Sequence, residues 1–483
     1  MNFGMVLKSL GILLICEAVT MVLSLIVSLI YGGQDANSFI VTILLLSIIG
    51  AFAMSIKPES KHIYARDGFA IVALGWLLIS FFGALPFVFS GAIPSIVDAF
   101  FEASSGLTTT GASVIKDIES VSKGILFWRS FTHWIGGMGV LVMTLAILPS
   151  IGTGSLQVMK AESPGPTPGK LVPRLGQTAK ILYGIYFAIT IAEIILLCIA
   201  GMPLYDSMLH SFGTVGTGGF SIKGLSIGYY NNIYIEIIIT FFMLACGVNF
   251  ALYYAILKGN IKGIFKNGEF KLYIGVVAIS IIFIALNIHG SMFKSLGEAF
   301  RHSSFQVASI ITTTGYATTD FNLWPTFSKM ILLTLMFIGG CSGSTAGSIK
   351  SIRILFLFKI MKRELLKIIH PRAVYTVKYD DKVVEEDTLM EVLAFFFMYM
   401  LVFVLAVLVI SLEGKDALTS ISAVAATLGN IGPGFGIVGP MGNFSDLNNL
   451  STIVLSLCMI IGRLEIYPIL LLFIPSFWKK VNI

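Results

Sequence analysis

Charge is scarce in this sequence. Lys and Arg number 32 and Asp and Glu 26 among 483 residues, so 12% of the chain is charged, about half the ~25% of a typical soluble domain. With 56% apolar residues the chain carries more apolar surface than one soluble core can bury, which sets aside a soluble enzyme, a disordered protein and a nucleic-acid binder. Proline is sparse, 15 in all, and low-complexity tracts are lacking, so nearly the whole length is left for a folded membrane domain. Cysteine is rare as well. Cys16, Cys198, Cys246, Cys341 and Cys458 form an odd set, each inside an apolar stretch. They have neither a disulfide framework nor metal-ligand spacing and read as small buried hydrophobes.

What the sequence does have is long apolar runs. A spanning helix needs about 20 mostly apolar residues, and runs near 4–30, 38–56, 69–90, 125–149, 181–201, 233–257, 272–290, 329–361, 388–411 and 451–475 give ten expected spans. The first continues to Ile30 with no small-residue cleavage site, and is expected to span rather than to be cleaved as a leader. Shorter runs rich in Gly, Thr and Ser lie at 95–115, 203–221, 296–318 and 415–436. They are too short to cross and too apolar for solvated loops, so they are expected to re-enter; such backbone is tolerated at membrane depth only where protein buries it or it lines a watery cavity.

The cations fall mostly on one side of these spans. Lys57, Lys61 and Arg66 share it with Lys160, Lys170, Arg174 and Lys180, with Lys258 to Lys271, with the basic stretch Lys350 to Lys382 and with Lys8, Lys479 and Lys480 near the ends. By the positive-inside rule that side and both termini are cytoplasmic, and the re-entrant segments enter from outside.

The four re-entrant segments resemble one another. They read Thr108-Thr109-Thr110-Gly111-Ala112-Ser113, Val215-Gly216-Thr217-Gly218-Gly219-Phe220-Ser221, Thr312-Thr313-Thr314-Gly315-Tyr316-Ala317-Thr318 and Leu428-Gly429-Asn430-Ile431-Gly432-Pro433-Gly434. Aligned on Gly111, Gly218, Gly315 and Gly432, they define a unit of about 100 residues, long enough for helix, re-entrant loop and helix. Each begins in a short helical stretch with an acid near its start (Asp98, Asp206, Glu298, Asp416). That acid suits the positive end of the helix dipole and leaves the negative end aimed at the membrane centre, where it attracts cations. Deep glycines follow in the next spans, at Gly137, Gly247, Gly340 and Gly462. The expected architecture is thus all-α and integral to the membrane: ten transmembrane helices, with a two-helix extension (1–66) ahead of four helix–pore-loop–helix repeats (67–160, 161–266, 267–372 and 373–483) around one central pore.

An alkali cation crossing hydrocarbon must exchange its water shell for oxygens, and backbone carbonyls supply these without net charge. Glycine lets successive carbonyls turn to one side with no side chain in the path. The residues expected to line such a filter are Thr109, Thr110 and Gly111; Thr217 and Gly218; Thr314, Gly315 and Tyr316; and Asn430, Ile431 and Gly432. Thr314-Gly315-Tyr316 is close to the Thr-Val-Gly-Tyr-Gly filter of potassium channels.

Together with His210-Ser211-Phe212, with Gly339-Gly340-Cys341-Ser342-Gly343-Ser344-Thr345-Ala346-Gly347 and with Gly462-Arg463-Leu464-Glu465, these loops resemble the Trk/Ktr/HKT superfamily of potassium transporters over essentially the whole chain. The two extra N-terminal spans are similar to the TrkH branch. The resemblance implies a multi-pass protein of a prokaryotic cell membrane, a homodimer of pores selective for potassium over sodium, and a cytosolic regulatory ring of the TrkA type. Nucleotide, ATP/ADP or NAD(H), is then expected on that partner, with no cofactor on this chain and potassium as the substrate. The resemblance also implies potassium as the ion, because plant relatives that pass sodium carry serine at the first filter position and this sequence has glycine at all four.

Arg463 is a cation inside a span. An Arg at a helix centre costs about 2.5 to 3.5 kcal/mol on the lenient insertion scales, so it must face the bundle interior and find partners. The other repeats carry Met138, Val248 and Cys341 at the place that follows the deep glycine, and Glu465, two residues away, faces elsewhere. The run Gly340, Cys341, Ser342, Gly343, Ser344, Thr345, Ala346, Gly347 cannot remain a comfortable helix. Its carbonyls are expected to accept from Arg463 while the loop plugs the pore, and the resemblance implies that this loop and this Arg form the gate. The basic-then-acidic connection 362–388 is a candidate docking surface.

Two other readings have less behind them. A proton- or sodium-coupled carrier finds few intramembrane acids, Glu17, Glu193, Glu236 and Glu465, of which Glu17 and Glu193 read as polar residues near helix ends. An intramembrane serine protease at Gly340-Cys341-Ser342-Gly343 needs a histidine at membrane depth, whereas most of the six sit near span ends or in loops, and it leaves the fourfold repeat unexplained. His210 and His302 are expected to hydrogen-bond within their short helices.

Overall fold

A computed structural model describes residues 1–58, 63–139 and 175–478, without the side chains of 175–179. The expected stretch 140–149 and the cations Lys61, Lys160, Lys170, Arg174, Lys479 and Lys480 lie outside the described residues.

The described chain is mostly helical. Its only strands pair Lys378 with Val383 and Tyr379 with Lys382 in a short antiparallel hairpin. Among the described residues, six helices are long and apolar enough to cross a membrane: Phe3–Ile30, Ala36–Ser55, Ala65–Phe89, Lys180–Ile199, Gly268–Ile288 and Glu386–Ser411. They are apolar on both sides. Trp76, Tyr273 and Tyr399 point into the bundle, while Phe52, Phe283, Phe397 and Leu408 stay exposed, a pattern that suits hydrocarbon as the surrounding solvent.

Polar residues start several helices of the bundle where the chain turns. Asn249, Asn267 and Asn448 accept from the backbone N–H of Ala251, Phe270 and Ser451 at 2.8 to 2.9 Å, capping donors that have no intrahelical partner.

Each expected helix that follows a re-entrant loop is shorter than its apolar run. Ile233–Cys246 and Phe250–Leu257 meet at a 93° bend. The run 329–361 divides into Thr326–Ile338 and Ser351–Ile369, and the run 451–475 breaks after Asn449–Arg463, where Glu465 and Ile466 hold φ of +53° and +74°. The first such helix, Lys123–Gly137, ends at the limit of the described residues. The breaks fall at Gly247, at Gly339–Gly340 and just past Gly462, so the deep glycines mark where these helices stop rather than the middle of continuous spans.

Four short helices precede the Thr/Gly loops: Ile96–Leu107, Leu204–Val215, Leu296–Ile311 and Ala417–Leu428. They bury their C-terminal halves and deliver the four Thr/Gly loops to one another.

Candidate functional site

The four short helices end alike. In each, the N–H of the second residue beyond the cap returns to the carbonyl five residues back: Thr110 to Ser105, Gly218 to Gly213, Thr314 to Ser309 and Ile431 to Ala426, at 2.7 to 2.8 Å. This closure requires a left-handed residue just before it. Thr109, Thr217, Thr313 and Asn430 fill that place, with φ of +57°, +56°, +56° and +54°. Three are β-branched, for which this conformation is an outlier held only by its surroundings, and such strain clusters at functional sites.

Two residues on, Gly111, Gly219, Gly315 and Gly432 again have positive φ, +82°, +76°, +87° and +104°. The second loop is therefore registered on Gly219, one residue later than the sequence alignment puts it. The physical reason is the helix closure, which assigns the left-handed turn to Thr217 and leaves Gly218 matched to Thr110, Thr314 and Ile431.

In this register the loops form a closed ring. A Cβ on Gly111 would collide with the carbonyl oxygen of Gly218, one on Gly219 with that of Thr314 and one on Gly315 with that of Ile431. One on Gly432 would come within 2.7 Å of the carbonyl oxygen of Thr110. The order runs first, second, third, fourth and back to first. At each step the absent side chain leaves room for a carbonyl oxygen. Each of these glycines thus lies against an uncharged backbone carbonyl of the next loop, and all four border one cavity of about 170 Å³.

Four different side chains tie the seams of this ring. His133 Nδ1 lies 2.7 Å from the carbonyl of Gly106 while its Nε2 accepts from Phe220 N–H at 3.2 Å, which fixes the neutral Nδ1–H form between first and second loops. Tyr316 OH donates to the carbonyls of His210 at 3.0 Å and Phe220 at 3.3 Å, joining third to second. Asn322 exchanges hydrogen bonds with Gly436 N–H and C=O at 3.0 and 3.1 Å, joining third to fourth. Asn430 Nδ2 reaches Thr110 Oγ1 at 3.0 Å, joining fourth to first. Behind the first seam, buried Glu102 takes hydrogen bonds from Arg129 Nε at 2.6 Å, Ser113 Oγ at 2.9 Å and Val114 N–H at 2.9 Å, and Arg129 donates onward to Ser221 O at 3.0 Å. Of these side chains, sequence reading singled out only Tyr316 and Asn430.

The segment Gly339–Ser348 turns back beneath the ring. It is exposed at Gly343 and buried from Thr345 to Ile349. At its apex Gly347 N–H donates to Thr313 Oγ1 at 2.7 Å. A Cβ on Gly347 would fall 3.1 Å from Asn430 Cβ, so the loop touches the underside of the third and fourth loops. At its base the Glu269 carboxylate accepts from Ser342 N–H at 2.6 Å and Ile352 N–H at 3.1 Å, pinning both limbs. Cys341 N–H ties the turn outward to Gly247 O at 2.8 Å, while Ser344 Oγ donates to Cys341 O at 2.5 Å and Lys350 Nζ to Ala346 O within the segment and its flank. Gly340 packs 2.7 Å, as a built Cβ, from Ala346.

Arg463 crosses beneath the ring to this loop. Its Nη1 donates to Thr345 O at 3.1 Å, and its Nη2 donates to Gly137 O at 2.8 Å and to Gly136 O. The last two carbonyls are the C-terminal, negatively polarised end of Lys123–Gly137. The residues that match Arg463 are not Met138 and Val248. Tyr186 OH donates three residues before Gly137 and Tyr273 OH three before Gly247, and Gly462 packs on Leu428 O as Gly136 packs on Leu107 O. Arg463 therefore occupies a place that is Gly137 in the first repeat and Gly247 in the second. Glu465 turns away to pair with Arg353, whose guanidinium also stacks 4.0 Å from the Phe395 ring.

Of the other expected residues, the two acids are buried in their helices and the two histidines meet the loops. Glu17 is buried in mid-helix rather than near an end, and Glu193 is buried well inside Leu175–Ile199. His210 bonds within its helix to Asp206 O at 2.8 Å and also to Ser221 Oγ at 3.0 Å, whereas His302 reaches out of its helix to Thr318 Oγ1 at 3.0 Å. All five cysteines are free.

Known proteins share this sequence and this architecture. The family model for TrkH, described as a cation transport protein, matches residues 35–480. The Trk system potassium uptake protein TrkH of Salmonella typhimurium is 40% identical over 489 residues, 99% of this chain and 100% of that protein. The Trk system potassium uptake protein TrkG of Escherichia coli is 37% identical, over 97% of both chains. The crystal structure of the potassium transporter TrkH from Vibrio parahaemolyticus superposes with a TM-score of 0.88 at 39% identity, covering 99% of this chain and 100% of that one.

Proposed function

The chain belongs to the TrkH family of cation transport proteins, a transporter family rather than an enzyme family, and on that premise we propose that it takes up potassium across the cell membrane through a carbonyl-lined ring built from four pore loops. The observation that carries the reading is the closed order of contacts, each loop's glycine against the next loop's carbonyl, with Thr110, Gly218, Thr314 and Ile431 supplying the oxygens. An uncharged ring of carbonyls replaces the water shell of a monovalent cation. The partially negative C-terminal ends of four short helices lead into these loops.

In this reading the filter comprises Thr109, Thr110 and Gly111; Thr217, Gly218 and also Gly219; Thr314, Gly315 and Tyr316; and Asn430, Ile431 and Gly432. The loop Gly340 to Gly347 and Arg463 form the gate. The hydrogen bond from Gly347 to Thr313 and the three donated by Arg463 support a closed pore, because together they place a plug and a fixed positive charge under the ring. Opening then withdraws the loop as the helix Ser351–Ile369 moves.

Ten spans follow if the broken helices are counted whole, with residues 1–66 as an extension and four repeats after it. Both termini and the hairpin at 378–383 face the cytoplasm of a prokaryotic cell. A homodimer whose gate answers to a cytosolic, nucleotide-binding ring of the TrkA type fits the relatives' name, a Trk system, which denotes more than one component.

The test is uptake of rubidium and sodium into liposomes holding the purified protein, with and without an imposed proton gradient. Rubidium uptake well above sodium and independent of the gradient is expected. Equal uptake of the two ions overturns the potassium filter, and a requirement for the gradient overturns passive conduction.

A further inference from the structure

Asn430 differs from its counterparts in the ring. Thr109, Thr217 and Thr313 hold the same left-handed position, and Thr217 spends its hydroxyl on its own neighbour, the carbonyl of Gly216, at 2.7 Å. Asn430 instead uses its amide in two directions. One N–H goes to Thr110 Oγ1 at 3.0 Å and the other to Met459 O at 2.9 Å. Its Oδ1 is buried without a partner, facing Gly347 of the plug and Gly462 of the helix behind; built Cβ atoms on those glycines would lie 3.4 and 3.0 Å from it.

The bond to Thr110 continues through the first loop in a fixed direction. Thr108 hydroxyl donates to Ser104 O at 2.6 Å, so at the 2.8 Å contact between Thr108 and Thr110 it is Thr110 that donates. That leaves Thr110 oxygen free to accept from Asn430. The third loop repeats the inner part, with Thr314 on Thr312 at 2.8 Å and Thr312 on Ala308 O at 2.7 Å. At the corresponding seam the second loop offers Thr217, which is turned to Gly216, so the amide link is special to the fourth-to-first seam. Its other end, Met459, lies on Asn449–Arg463 one helical turn before Arg463.

We infer that Asn430 is a positioning residue for ion discrimination: by holding Thr110 and Met459 together it sets the width of the ring at the fourth-to-first seam and ties that width to the helix that carries Arg463. The inference rests on the potassium-filter reading. Carbonyl spacing decides which ion is well coordinated, and a seam released on one side lets the ring relax around a smaller, more tightly hydrated ion.

The experiment measures the ratio of rubidium to sodium uptake by the full-length protein in liposomes, for the native chain, Asn430→Thr, Thr110→Val and the double variant. Threonine is the residue that three of the four loops already carry in this backbone conformation. The expected result is a ratio lowered at least about fivefold in each single variant, the equivalent of one net hydrogen bond, and lowered no further in the double variant, since both substitutions remove the same bond. A ratio unchanged in Asn430→Thr overturns the inference. So do uptakes of both ions that fall together at constant ratio, which is what a merely structural role gives, and single effects that multiply in the double variant. Where Asn430→Thr does not fold, judged by its thermal unfolding in detergent, Thr110→Val decides alone on the same ratio. A native chain that itself fails to discriminate the two ions overturns the filter reading instead, so the two failures are distinct.

Discussion

Arg463 donates to the carbonyl of Thr345 across 3.1 Å, joining the last repeat to the loop that lies beneath the ring. The same guanidinium holds Gly136 and Gly137 on the first repeat, so one side chain spans three parts of the bundle. Hydrogen bonds from a charged donor contribute about 1.5 to 3 kcal/mol each, and about 1.4 kcal/mol is a tenfold change in an equilibrium. Arg463→Ala is therefore expected to raise rubidium flux in liposomes, without any partner protein, by at least about tenfold. Arg463→Lys is expected to fall between, because an ammonium lacks the planar fork that reaches several carbonyls at once. Flux unchanged in both variants contradicts a gate at this place.

The ring register makes a separate demand. Gly219→Ala puts a methyl group onto the Thr314 carbonyl in a left-handed backbone, and selective uptake is expected to be lost. Gly275 on Gly268–Ile288 has open space where its Cβ would be, so Gly275→Ala is the matched control. It is expected to leave rubidium uptake as it is and to stabilise the helix by at most about 1 kcal/mol, read as a small rise in the thermal unfolding midpoint.

What sequence could and could not deliver follows from how each feature is made. The Thr/Gly loops stand out because a left-handed turn and a carbonyl ring restrict residue type at several adjacent positions, four times over. The one-residue offset of the second loop arises because Gly216, Gly218 and Gly219 all satisfy that restriction, and only the helix closure at Thr217 chooses among them. Arg463 was conspicuous as a lone cation in an apolar run, and composition alone marked its loop. Its other partners, Gly136 and Gly137, were hidden because the acceptors are backbone carbonyls 327 and 326 residues away, which no side-chain pattern records. Likewise Glu102 and Arg129 sit on two helices with no shared period, and His133 looks like any polar residue until Gly106 and Phe220 come to it.

Glu102→Gln keeps the shape of that buried cluster but leaves the Arg129 charge uncompensated. Removing one partner of a buried pair costs about 3 to 5 kcal/mol. The variant is expected to unfold at a clearly lower temperature in detergent, whereas an unchanged midpoint means that the pair contributes nothing.

Tyr316→Phe removes the hydroxyl that serves the His210 and Phe220 carbonyls and leaves both buried and one donor short. A stability loss of about 1 to 3 kcal/mol is expected, together with a lower rubidium-to-sodium uptake ratio, since the second-to-third seam loses its tie. A lower midpoint with an intact ratio means that this bond supports the fold alone.

The central claim, that the four loops make one potassium-selective ring, is tested most directly by the reversal potential of the Arg463→Ala protein in a planar bilayer with potassium on one side and sodium at equal concentration on the other. A selective ring displaces reversal toward the potassium equilibrium potential, by about 59 mV for each tenfold of discrimination between monovalent ions. Reversal at zero contradicts it.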